Sequence, residues 1–215
     1  MKFNMKKNGI ALVLAALTVT GASFAGLEFK DISGISQENA IMTLHEKGII
    51  NGTSSELFMP KKSLKASEGI LMIVNTFDLN LDTIRFIKEP KATDYFKNAD
   101  DTAWYAQGFI AASVNGVELD ANLDPNQIWT KEEFIYHIVS TYEQKNDMPM
   151  IKITPVEIKD EADITADYSG LLQRALYYGF ISLDDMGNLS PKADISRAEA
   201  ADIMYKIVEV IGKNQ

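Results

Sequence analysis

Apolar residues recur at helical spacing in three separate stretches of this chain. Ile70, Ile73, Val74 and Phe77 form the first face, and Ile135, Ile138, Val139 and Tyr142 the second. Ile203, Met204, Ile207 and Val208 form the third. This period puts each set on one side of a helix. A shorter apolar stretch precedes the first and third faces: Ile41 and Leu44, then Leu172, Ala175 and Leu176. Between the short and the long stretch lie a glycine, a loop with a brief apolar touch (Leu57-Phe58, Leu123, Leu189) and a proline. The pattern predicts helix, loop, helix, three times over.

The three segments align as diverged copies. Pro60 to Glu68, Pro125 to Glu133 and Pro191 to Glu199 are each eight residues apart. Gly48 to Pro60 and Gly179 to Pro191 are each twelve, whereas Gly116 to Pro125 is nine, so the middle loop is shorter. The glycine sits where a left-handed residue ends a helix cheaply. Thr130 with Glu133 and Ser196 with Glu199 fit a capping box, in which hydroxyl and carboxylate each satisfy a free amide. Lys65 replaces the hydroxyl in the first copy, which predicts a weaker helix start there. Two helices cannot enclose a core, so three pairs must share one. Two linkers, roughly 79–94 and 145–156, are long enough to carry the chain around such a bundle.

Residues 1–25 read as a signal peptide. Lys2, Lys6 and Lys7 precede the apolar run Ile10 to Val19, and Ser23-Phe24-Ala25 offers small residues at a cleavage site. The run is shorter than the ~20 residues of a membrane span. The 215-residue chain holds no cysteine, so no disulfide and no lipid-attachment thiol is available. Its net charge is −9. Removing three lysines leaves 18 basic against 30 acidic residues, a net of −12 for the mature part. Such a surface repels nucleic acid and anionic lipid, and an anionic partner would need a local basic pocket.

Phe29-Lys30-Asp31-Ile32-Ser33-Gly34, Ala40-Ile41, Gly48-Ile49-Ile50-Asn51-Gly52-Thr53 and Phe58-Met59-Pro60 together resemble the S-layer homology (SLH) domain. Ile195-Ser196-Arg197-Ala198-Glu199 is close to that family's Thr-Arg-Ala-Glu signature, and Phe96-Lys97-Asn98 with Trp104 fit its Phe-x-Asp and tryptophan positions. The resemblance implies an all-α fold: three helix-loop-helix repeats, at 26–80, 94–145 and 156–212, in one pseudo-threefold domain. It further implies noncovalent binding of a secondary cell-wall polysaccharide, often pyruvylated, in grooves between repeats, and a secreted protein at the cell wall or surface. The family's arginine pairs with the anionic ligand and its tryptophan helps line the groove. Carried onto this chain, the ligand-binding candidates are Arg197, Trp104, Lys131, Asp31 and Gly52. Arginine offers a planar, permanently charged donor, an indole packs on a sugar face, and a loop glycine lets backbone amides come close.

Departures from the family pattern narrow this. At the arginine position the first copy has Ala66 and the second Lys131. At the tryptophan position the first has Ser36 and the third Asp167. These substitutions lead us to expect one competent groove, a different one at Lys131, and a first copy empty of groove charge. They also suit a second reading, a degenerate fold serving as a structural or protein–protein adaptor at the envelope. A third, a secreted hydrolase, has only the abundance of carboxylates behind it. His45 and His137 lie in different repeats, no HExxH or GxSxG motif occurs, and Asp184 to Asn188 reads as a turn, so no catalytic residue, metal or cofactor is assigned.

Overall fold

Leu64, Trp129 and Ile195 occupy the same place in the three copies, just ahead of the longer helices, and their backbones close a ring. The Leu64 N–H donates to the Ile195 carbonyl (2.9 Å), Ile195 to Trp129 (3.1 Å), and Trp129 to Leu64 (3.0 Å). All three side chains are buried. The ring belongs to a computed structural model that describes residues 29–148 and 152–213. The proposed signal peptide lies outside them.

Six α-helices form among the described residues: α1 (Glu38–Glu46), α2 (Ala66–Thr76), α3 (Ala106–Val114), α4 (Lys131–Lys145), α5 (Ala166–Tyr177) and α6 (Arg197–Lys213). Three isolated bridges flank the ring, and the described residues contain no strand. The fold is all-α. Helices α2, α4 and α6 touch one another at the centre. Of their apolar faces, Ile70, Ile73, Ile135, Ile138, Val139, Met204 and Ile207 are fully buried, while Phe77 and Val208 sit at the margin.

The outer helices pack in a different phase from the sequence repeat. Helix α3 lies on α2, α5 on α4, and α1 on α6. Each outer helix therefore packs on the inner helix of the preceding copy, and α1 closes the circle against the last. The long linkers join packing partners, whereas the glycine-to-proline loops bridge from one pair to the next. Gly48, Gly116 and Gly179 start these loops at φ 71°, 82° and 75°, a left-handed turn that a side chain would strain.

The loops also cap the inner helices across copies. The first two amides of α2, Ala66 and Ser67, donate to the Gln127 and Pro125 carbonyls. Lys131 and Glu132 of α4 donate to Ala193 and Pro191, and Arg197 and Ala198 of α6 to Lys62 and Pro60. Amides that a helix leaves free are thus satisfied by the neighbouring loop. The third-position carboxylates Glu68, Glu133 and Glu199 accept from the Lys65, Thr130 and Ser196 amides (3.1, 2.7 and 2.9 Å). The reciprocal hydroxyl bond forms at Thr130 and Ser196 and is missing at Lys65.

Candidate functional site

Cyclic packing makes each groove a composite of three copies. One cavity, of about 420 Å³, has the first copy's loop (Ile49 to Thr53) on one side and Leu71, Met72 and Asn75 of α2 on another. Trp104 comes from the second copy and Arg197 from the third. Three of the five sequence candidates, Arg197, Trp104 and Gly52, therefore meet in one place. This corrects the expectation that the first copy is empty of charge. Its own Ala66 faces elsewhere, because the first residue of each inner helix points into the groove of the next copy round the ring.

Arg197 is only 6% exposed. Its Nε donates to the Phe58 carbonyl (2.9 Å), Nη2 to the Asn51 carbonyl (2.8 Å), and Nη1 pairs with Glu68 (3.3 Å). The guanidinium lies 4.5 Å from the centre of the Phe58 ring. Burial pulls its pKa down, with Glu68 and Asp31 opposing, but an arginine so paired stays charged. It does not pair with Glu199 or Asp202 on its own helix. Trp104 is the opposite case: 65% exposed, it stands edge-on to Tyr105 at the cavity's rim. Gly52 answers to a steric demand as well, since a Cβ there would lie 2.4 Å from both the Phe29 ring and the Ser54 carbonyl.

Asp31 lies behind the cavity rather than along it. Its two oxygens accept from the Phe58 and Met59 amides (2.9 and 2.7 Å), fixing a loop in which Met59 holds φ 59°. Asp160 does the same for Leu189 and Ser190 in the third copy. Lys131 lies in a second, smaller groove of about 140 Å³, built from the third copy's loop and α6 with Gln37 of the first. There Lys131 is 3.5 Å from Glu199, and Lys206 is 2.8 Å from Asp202. Burial pushes the Glu199 carboxyl up, yet its bonds to Ser196 and the charge of Lys131 outweigh this and leave it below its usual range.

The third rotational position belongs to the second copy. Ala66 stands where the other two have a cation. Tyr136 stacks on Tyr168 at 4.3 Å, with its hydroxyl 3.5 Å from Glu118. His137 beneath them stacks on Trp129 at 5.0 Å, and its Nδ1 has no partner among the described residues.

Sequence reasoning missed Lys62, whose side chain is 36% exposed on the cavity wall and bonds Glu68 at 3.0 Å. The signal was present: two residues past the shared proline, the other copies carry Gln127 and Ala193.

A family model of the S-layer homology domain matches residues 28–65 and 157–201. The chain is 25% identical over 204 residues to an exoglucanase of Acetivibrio thermocellus, covering 94% of this chain and 18% of that protein. It is 25% identical over 186 residues to an amylopullulanase of Thermoanaerobacterium thermosulfurigenes, covering 86% and 10%. A surface-layer 125 kDa protein of Lysinibacillus sphaericus is 24% identical over 214 residues, covering 97% and 17%. The chain thus spans less than a fifth of the length of these relatives.

Proposed function

We propose that this chain, which carries S-layer homology domains over residues 28–65 and 157–201, attaches noncovalently to the cell envelope by binding an anionic, pyruvylated wall glycopolymer. The observation that carries the reading is the composite cavity: an exposed indole, a loop of backbone groups and two cations converge there on a chain of net charge −9. An apolar wall with a few convergent polar groups is the usual form of a small-ligand site. Trp104 supplies a face for a sugar ring, and the cations supply the charge an anionic substituent needs. The relatives fit an anchoring module: one is named a surface-layer protein, and two are named as glycan-degrading enzymes of which the matching part is a small share. By this reading the chain contributes attachment rather than catalysis, and acts at the cell wall or surface.

Co-sedimentation of the purified protein with sacculi tests this, before and after hydrofluoric acid strips the secondary polymer. Binding should vanish on stripping and fall at least tenfold in Trp104→Ala, whose exposure leaves the fold untouched. Protein that ignores intact sacculi would refute the reading. The adaptor reading draws on one observation, the stacked tyrosines and missing cation at the third position, and predicts instead a protein partner that Trp104→Ala does not release.

A further inference from the structure

Charge in the cavity is arranged as a relay. Among its lining residues the charged side chains are Lys62, Glu68 and Arg197. One carboxylate oxygen of Glu68 accepts from both Lys62 Nζ (3.0 Å) and Arg197 Nη1 (3.3 Å), and the other accepts from the Lys65 amide (3.1 Å). Arg197 is held on three sides, by Phe58, Asn51 and Glu68, and is almost wholly covered. Among the described residues the Lys62 ammonium has one partner, Glu68, and its side chain is 36% exposed.

We infer that Lys62, rather than Arg197, is the cation that meets the ligand's anion, and that Arg197 is a positioning residue which acts through Glu68. The inference rests on the wall-glycan reading and names how its site recognises charge. Glu68 neutralises one of the two cations, so the lining presents a single positive charge, suited to a monoanionic substituent such as one carboxylate. An ammonium has three donors and no fixed fork, so it can keep Glu68 and accept a second carboxylate together. Arg197, by contrast, has three of its five N–H donors fixed on Phe58, Asn51 and Glu68, and its side chain is only 7% exposed. Neither other copy has a cation at the position of Lys62: Gln127 and Ala193 stand there, so the relay belongs to this groove alone.

Removing a charge that reaches the ligand changes affinity and its salt dependence, whereas loss of a purely structural contact changes neither without a change in stability. The test is sedimentation of the full chain with sacculi purified from the producing cells, at a series of salt concentrations, with urea unfolding alongside. Lys62→Gln should bind about tenfold more weakly, with a flatter salt dependence and nearly unchanged unfolding. Lys62→Arg should restore most of the affinity. Glu68→Gln frees Lys62 and should bind more tightly at low salt. If wild-type protein binds and Lys62→Gln binds equally well with the same salt dependence, the inference is wrong while the wall-binding reading stands. If wild-type protein fails to bind, both fall.

Discussion

The first copy's groove and its counterpart in the third copy are built from equivalent positions and reach different ends. Ile50, Leu71, Met72 and Arg197 in one correspond to Ile181, Asp202, Ile203 and Lys131 in the other. In the first, the cation is buried and bonds two loop carbonyls, so it shapes the loop that it charges. In the second, Lys131 reaches only Glu199 among the described residues, and Asp202 with Lys206 adds a further neutral pair. The cavity shrinks from about 420 to about 140 Å³. The difference teaches that the signature arginine does two jobs. Lysine at the same place keeps a charge yet lacks the fork that ties loop to helix.

The largest expected effect follows from that. Arg197→Ala leaves Glu68 without its guanidinium and two loop carbonyls unsatisfied, and should cost about 3–5 kcal/mol. Urea unfolding measures it. A loss under about 1 kcal/mol would mean that the arginine does not organise the loop and that the two grooves differ in charge alone.

Extending the comparison to the third position brings in pH. His137 stands where the other copies have Met72 and Ile203. Burial pushes its pKa down from the ordinary value to about 4. The unfolded chain, with an imidazole near 6.5, therefore binds more protons than the folded one in between. Stability should fall as pH drops from about 6.5 towards 4, by up to about 3 kcal/mol from this group. His137→Phe keeps an aromatic ring against Trp129 and should flatten that slope. Equal slopes in wild type and variant between pH 6.5 and 5 would show that the imidazole is not buried as described.

A smaller effect is expected at Gly69, in the interior of α2. A Cβ there would lie 2.4 Å from the Trp129 ring, and Ala200 is the equivalent residue in α6. Gly69→Ala should destabilise the protein by about 1–3 kcal/mol despite alanine's better helix propensity, because Trp129 closes the backbone ring and has nowhere to move. A stabilised variant would show that the ring is looser than its hydrogen bonds suggest.

Much of this is legible in the sequence, because it is local. Apolar period, glycine stops and carboxylate caps each depend on residues a few places apart, and the three inner helices start one residue after Lys65, Thr130 and Ser196. What was not legible is the phase of packing. Nothing in a repeat says whether its two helices lie on each other or on those of its neighbours, since both arrangements bury the same apolar faces. For that reason the sequence assigns Arg197 to the groove of its own copy and leaves the first groove without charge. Asp31 shows the same limit. Its type suits a ligand contact and a loop staple equally, and the two amides it engages lie 27 and 28 residues away.

The smallest effect is the sharpest check on the comparison. Lys131 occupies the arginine position with a side chain 23% exposed, 3.5 Å from a Glu199 that is 42% exposed. Pairs of that kind contribute about 0–1 kcal/mol, less in salt. Lys131→Ala should therefore shift the urea midpoint little, and 0.5 M salt should erase the shift. Lys131→Arg is more informative. If the fork is what separates the grooves, arginine here should gain stability by reaching the third copy's loop carbonyls as Arg197 reaches those of the first. A gain that 0.5 M salt leaves intact would mark hydrogen bonds to carbonyls; one that salt removes would mean only a stronger ion pair with Glu199. No gain at all would place the difference in the loops, with Phe180-Ile181-Ser182 unable to present carbonyls to any fork.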